Sequence, residues 1–216
     1  TNHAVSRGGG VYCEGGSAGL TNCAMQSNSA SFGGGLYCSN ATPTLDGCVL
    51  VRNDAASFGG GIYAANAGAL LRQCLIATNE ASLGGGLYCA ADSDLVLQDC
   101  EIAGNVATEG GGLYCIAANP ALTNCIFAGN QGGARGGGLS CNAANPILTA
   151  CHISANLGEV GSGLACRNGA EPWIRACAIA GSGSTNMSAG GGLHCDTGSE
   201  PLIQNTLIVS NTAMSG

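Results

Sequence analysis

Gly84-Gly85-Gly86-Leu87-Tyr88-Cys89 closes a block that opens at Cys74 and runs through Ile76, Asn79 and Ala81, and the same block recurs down the whole chain. Triple glycines begin at Gly8, Gly33, Gly59, Gly84, Gly110, Gly136 and Gly190, with Gly161-Ser162-Gly163 standing in once, so the steps are 25, 26, 25, 26, 26, 25 and 29 residues. Eight copies in 216 residues make an array. A fixed period of this size marks each copy as one coil of a solenoid, which buries its apolar face only against its neighbours. The unbroken repeat predicts one domain over residues 1–216 with no linker.

Superposing the copies gives each position a direction. The residue after the glycines is Val11, Leu36, Ile62, Leu87, Leu113, Leu139, Leu164 or Leu193, always aliphatic and therefore inward. Two residues on stand Cys13, Cys38, Ala64, Cys89, Cys115, Cys141, Cys166 and Cys195, which the strand period of two puts on the same inner face. Leu20, Leu45, Leu71, Leu97, Leu122, Leu148, Ile174 and Ile203 precede a second column made of Cys23, Cys48, Cys74, Cys100, Cys125, Cys151, Cys177 and Thr206. Met25, Leu50, Ile76, Ile102, Phe127, Ile153, Ile179 and Ile208 complete the predicted core. Helical hairpins also repeat at such periods, but three consecutive glycines per copy argue against helix. Short strands pairing in parallel from coil to coil, at about 4.8 Å per step, predict a rod roughly 40 Å long.

The turns stack as well. Asn2, Asn28, Asn53, Asn79, Asn105, Asn130, Asn156 and Asn211 share a column. Asparagine tolerates left-handed backbone, and stacked amides form a ladder. All five prolines, Pro43, Pro120, Pro146, Pro172 and Pro201, occupy one column before the second strand, where no ladder N–H is needed.

Composition narrows the partners. The six basic residues are all arginine and the net charge is −7, so no row of phosphates can be neutralised and nucleic acid is excluded as a partner. Apolar runs break at Asn, Gly or Ser well short of the roughly 18 residues that span a bilayer, which predicts no membrane insertion.

Phe127-Ala128-Gly129-Asn130 and Ile76-Ala77-Thr78-Asn79, each followed by Gly-Gly-Gly-Leu, resemble the polymorphic membrane protein repeat and the broader right-handed parallel β-helix repeat proteins of microbial cell surfaces. The resemblance covers essentially the whole chain. It implies an all-β, right-handed parallel β-helix of about eight coils of 25–29 residues, a hand that strand crossover chirality also favours. The functions it implies are mixed, ranging from adhesins to surface and secreted proteins.

Fourteen cysteines form the two inner columns. One reading pairs them within a coil, as Cys13–Cys23, Cys38–Cys48, Cys89–Cys100, Cys115–Cys125, Cys141–Cys151 and Cys166–Cys177, leaving Cys74 facing Ala64 and Cys195 facing Thr206. A second leaves them as small apolar core residues, consistent with Ala and Thr as replacements. A third bonds neighbours along a column, since the coil spacing lies inside the usual Cα separation of a disulfide. Bonded cysteines would place the protein in an oxidising, extracellular setting. Without a close Cys-x-x-Cys pair or polar groups around the inward thiols, no metal and no cofactor is expected.

The five tyrosines, Tyr12, Tyr37, Tyr63, Tyr88 and Tyr114, form a column pointing out of the coil, which ends in Ser140, Ala165 and His194. They are a candidate contact face for protein or for sugar rings, or simply a stack that stabilises the sheet. In the seventh copy Ser182 replaces the column asparagine and Gly181–Asn186 reads as a protruding loop near Trp173, Arg167, Glu171 and Arg175. Asn40 and Asn186 fit the N-glycosylation triplet.

An enzyme of the pectate-lyase kind needs acids and a base gathered on one face. Asp92, Asp94 and Asp99 have no partner column, Arg72 and Arg175 sit four coils apart, and His3, His152 and His194 occupy unrelated columns. The outward row Thr21, Asp46, Arg72, Gln98, Thr123, Thr149, Arg175 and Gln204 is no uniform ice-binding array. The expected function is therefore a non-enzymatic extracellular structural solenoid. Because the chain starts and stops at the same phase of the repeat, uncapped ends are expected, pairing head-to-tail with another copy into filaments or continuing into a larger β-helix. The alternative is an adhesin or surface-protein passenger segment binding a host surface or polysaccharide.

Overall fold

The computed structural model describes residues 1–184 and 190–213, and among them the only regular secondary structure is strand. Each coil has four short strands, as in Leu87–Cys89, Val96–Gln98, Glu101–Ala103 and Val106–Glu109. Equivalent strands stack into four parallel eight-stranded sheets, the walls of a prism. The first wall runs from Val11–Glu14 to Leu193–Cys195 and the second from Gly19–Thr21 to Leu202–Gln204. The third runs from Ala24–Gln26 to Leu207–Val209 and the fourth from Ser29–Phe32 to Thr212–Ala213. Register follows the repeat residue for residue: Leu87 pairs with Leu113, Tyr88 with Tyr114 and Cys89 with Cys115.

Three predicted core columns line the lumen of the interior coils. Leu36, Ile62, Leu87, Leu113, Leu139 and Leu164 on the first wall are fully buried, as are Leu45, Leu71 and Leu148 on the second and Leu50, Ile76, Ile102, Phe127 and Ile153 on the third. Each such aliphatic side chain contributes about 1.5–3 kcal/mol by leaving water. The fourth wall turns only small residues inward, Ala30, Ala55, Ala81, Ala107, Gly132, Gly158 and Ser184, because it runs close beside the glycine triplets.

The triplets themselves belong to the ladder. Gly33, Gly34, Gly35 and Leu36 each donate a main-chain N–H to the coil above, at 2.9–3.2 Å. Gly33 has a φ of 64°, which turns the chain between fourth and first walls, and a Cβ on Gly34 would lie 2.4 Å from the carbonyl oxygen of Asp54. Glycine is thus required twice, for a left-handed bend and for backbone approach.

The asparagine column is a buried ladder, but its residues are not the left-handed ones. The left-handed positions are their predecessors, such as Ser27, Arg52, Thr78 and Gly104. That bend aims the following amide into the lumen. Asn105 takes both the main-chain and side-chain N–H of Asn79, at 2.9 and 3.0 Å, and donates its own pair to Asn130 Oδ1. Its remaining amide hydrogen goes back to the Ile76 carbonyl at 2.9 Å. Ser182 keeps the column alive with fewer bonds, accepting from Asn156 N at 3.4 Å and donating to Asn211 Oδ1 at 2.9 Å.

Candidate functional site

Two features concentrate chemistry: an exterior groove along the glycine bend and the cysteine columns inside. At the bend the fourth and first walls meet at a concave angle, so outward side chains converge. From the first wall come the tyrosines. Their rings stack at centroid separations of 5.0–5.4 Å, with their planes nearly parallel. From the end of the fourth wall comes a second column, Arg7, Phe32, Phe58, Leu83, Glu109, Arg135 and Val160, which lies in register from coil to coil. Phe58 stacks on Tyr88 at 4.7 Å, Phe32 meets the edge of Tyr63 at 5.7 Å, and the Arg7 guanidinium lies 5.2 Å from the Tyr37 ring centre.

This corrects the expectation of an open tyrosine face. The rings do point out of the lumen, yet Tyr37, Tyr88 and Tyr114 are buried and Tyr63 is half-buried, leaving only Tyr12 exposed. Burial pushes the Tyr88 hydroxyl up to about 12 and raises Tyr63 as well. An unfolded tyrosine ionises near pH 10. Between those values the unfolded chain has lost protons that the folded one keeps, so stability is full below about pH 10 and is lost as the pH rises toward 12. Thermal midpoints across that window should fall for the native chain and fall less for Tyr88→Phe, with tyrosinate absorbance following the same curve.

Where the rings stop, charges fill the groove. Arg167 reaches from the first wall to Glu109 at 2.7 Å and to the Tyr114 hydroxyl at 2.9 Å, which also accepts from Asn142. Arg135 pairs with Asp196 at 3.0 Å, and Asp196 lies 2.9 Å from His194 Nε2. Beneath them Ser140 Oγ and Arg167 Nε are buried without hydrogen-bond partners. The sequence reading missed this network because it left the column ahead of the glycines unread. Its signal was there: Glu109 and Arg135 are opposite charges one period apart, placed where tyrosine gives way to Ser140 and Ala165.

Inside, all fourteen cysteines are free thiols. The six within-coil pairs, Cys13–Cys23, Cys38–Cys48, Cys89–Cys100, Cys115–Cys125, Cys141–Cys151 and Cys166–Cys177, are unbonded. The reason is local: the first column lines the first wall, whereas the second sits at the corner between the second and third walls and serves carbonyls there. Cys48 donates to Leu20 O at 3.3 Å and Asp46 O at 3.5 Å, and Cys151 to Leu122 O at 3.4 Å and Thr149 O at 3.5 Å. Thr206 replaces cysteine in that column and makes the same two bonds, to Gln204 O and Ile174 O. In the first column only Cys38 has such a bond, a long one to Ala41 O at 3.8 Å.

Apart from His194, which meets Asp196, the acid and base candidates stay scattered. Asp99 accepts from Asn124, Arg72 donates to Gln98, Arg175 lies over Trp173, and His3 bonds Ser29. Among the described residues no group of three or more His, Cys, Asp or Glu is placed to hold a metal ion. Asn40 is exposed in a left-handed turn and bonds Asn66, while Asn186 lies outside the described residues.

A family model described as a right-handed beta helix region matches residues 9–159. No curated protein and no solved structure matches the chain.

Proposed function

The chain belongs to the right-handed β-helix family, and on that premise we propose that it is a non-enzymatic structural β-solenoid of an extracellular or cell-surface protein, extending by axial stacking of coil on coil. The observation that carries this reading is the asparagine column. Six consecutive steps from Asn2 to Asn156 join coil to coil by paired amide bonds, buried from water from Asn28 onward. Buried amide ladders of this kind fix the register of each added coil and hold the rod stiff. The groove along the glycine bend is packed with the chain's own rings and ion pairs, which supports a structural use over a catalytic one. The next coil in the stack is either further β-helix or a second copy joined head-to-tail.

A second reading, an adhesive passenger segment, has its own support on the outer face of the second wall. Leu70, Val96, Ala121, Ile147, Trp173 and Leu202 line up there in register, with Ile147, Trp173 and Leu202 exposed. An outward apolar row of this kind suits a protein or polysaccharide surface.

Negative-stain electron microscopy of the tag-free chain at micromolar concentration, with and without reductant, tests the proposal. Unbranched fibres with an axial repeat of roughly 40 Å, the length of eight coils, are the expected result for stacking copies. Separate rods of that length remove self-assembly and leave a rod section of a longer solenoid. Release of unsaturated sugar ends from an acidic polysaccharide would overturn the non-enzymatic reading.

A further inference from the structure

We propose that the first cysteine column is a redox-responsive staple, in which Cys89 bonds Cys115 and Cys141 bonds Cys166 across neighbouring coils when a small-molecule disulfide such as glutathione disulfide is present. The two cysteine columns look alike in sequence but differ in what their thiols do. Those of the second column also touch one another, as Cys74 does Cys100 and Cys151 does Cys177, but from Cys48 to Cys177 each is in addition a donor at a corner to two carbonyls, so oxidation there would orphan buried acceptors. Cys89, Cys115, Cys141 and Cys166 are fully buried on the first wall and face one another without donating to a carbonyl. Cys89 is the direct register partner of Cys115, and Cys141 of Cys166. Their thiols are in hydrogen-bonding contact in those same two pairs, and Cys166 also touches the exposed Cys195. Ala64 interrupts the column below Cys89, so Cys89 has no thiol on its lower side.

Directly paired parallel strands set the Cα atoms about 4.8 Å apart, inside the range that disulfides span. Because parallel neighbours also aim their Cβ atoms alike, the Cβ separation stays near the coil spacing, wider than the relaxed value of about 3.8 Å. The bond therefore forms with strain, and strained disulfides are the readily reduced ones. That makes the staple reversible rather than permanent.

The chemistry balances in two exchanges. A thiolate of one pair attacks glutathione disulfide, giving a mixed disulfide and releasing one glutathione thiolate. Its register partner, deprotonated in turn, attacks the protein sulfur of that mixed disulfide, forms the inter-coil bond and releases the second glutathione. Overall two protein thiols are oxidised and one glutathione disulfide is reduced to two glutathiones. Burial pushes the Cys115 thiol well up, and the hydrogen bond with Cys141 together with burial does the same to Cys166, so both exchanges wait on local opening of the coils and run slowly at neutral pH.

The test uses the full chain, reduced, freed of reductant and incubated folded with glutathione disulfide. Free thiols are then alkylated, and peptic digestion at acid pH, which blocks exchange, is read by mass spectrometry. The expected products are linked peptides joining Cys89 to Cys115 and Cys141 to Cys166, each two hydrogens lighter than the sum of its parts and lost on mild reduction. Cys115→Ala, which places in this column the residue that Ala64 already supplies, should abolish the first link and leave the second. Links within a coil, Cys89 to Cys100 or Cys141 to Cys151, would overturn the proposal. So would a folded chain that forms no links while the urea-unfolded chain does.

Discussion

Replacing Asn105 with alanine is expected to destabilise the chain by roughly 3–6 kcal/mol, the cost of leaving two or more buried polar groups without partners. Asn105 is fully buried. Its Oδ1 is the acceptor for both the main-chain and the side-chain N–H of Asn79, and its amide is a donor to the Ile76 carbonyl and to Asn130. Alanine removes the acceptor at a position closed off from bulk solvent. Since whole domains are held by about 5–15 kcal/mol, one such change consumes a large share of the total. Urea unfolding followed by circular dichroism should show the midpoint falling sharply. Asn105→Ser should lose less, because Ser182 shows how a hydroxyl keeps the column bonded. A loss below about 1 kcal/mol for the alanine chain, the worth of one ordinary hydrogen bond, would mean that the ladder is ornamental.

Gly85→Ala is expected to do more, either preventing folding or lowering stability by more than about 4 kcal/mol, the range reserved for severe backbone and packing conflict. A Cβ at Gly85 would lie 2.4 Å from the carbonyl oxygen of Val106 and 2.7 Å from that of Gly111, both main-chain atoms of the next coil. Neither can swing aside as a side chain would, so two coils must part. Gly129→Ala is the control: its φ is +61° and nothing lies within 4 Å of the added carbon. That change should cost about 1–2 kcal/mol, the ordinary penalty of a left-handed residue with a side chain. The chain contains one exception of its own. Ser162 occupies the middle of a triplet, and its hydroxyl bonds the carbonyls of Gly158 and Gly183. It does so in the coil whose step is 29 residues, where the neighbouring strand Gly183–Ser184 is shortened.

The coil count, the parallel register and the inner columns were legible because a solenoid writes its core at a fixed interval: once Leu87 and Cys89 are inward, Leu113 and Cys115 must be. The ladder was legible for the same reason, although the bend that aims Asn105 belongs to Gly104, before it. What did not show was any quantity that depends on the angle between walls. Tyr88 is outward by period yet buried, because the concave bend lays Phe58 against it. Cys89 and Cys100 are both inward and both touch thiols of their own column, yet Cys100 alone of the two also serves corner carbonyls. Periodicity assigns a side chain to the inside or outside of a strand. It does not say which wall comes to meet it.

The amide column also gives the rod an arrow. In each of its bonded steps the earlier coil is the donor and the later one the acceptor, from Asn2 to Asn28 through Asn130 to Asn156. Reversing one rod against another would set like against like, two rows of acceptors or two of donors, and would turn parallel strands antiparallel. A twofold-symmetric joint along the axis would therefore forgo the paired amide bonds of the column. A coil that continues the column must arrive pointing the same way, and a solenoid lengthened by such additions acquires distinct leading and trailing ends that two different binding partners could tell apart.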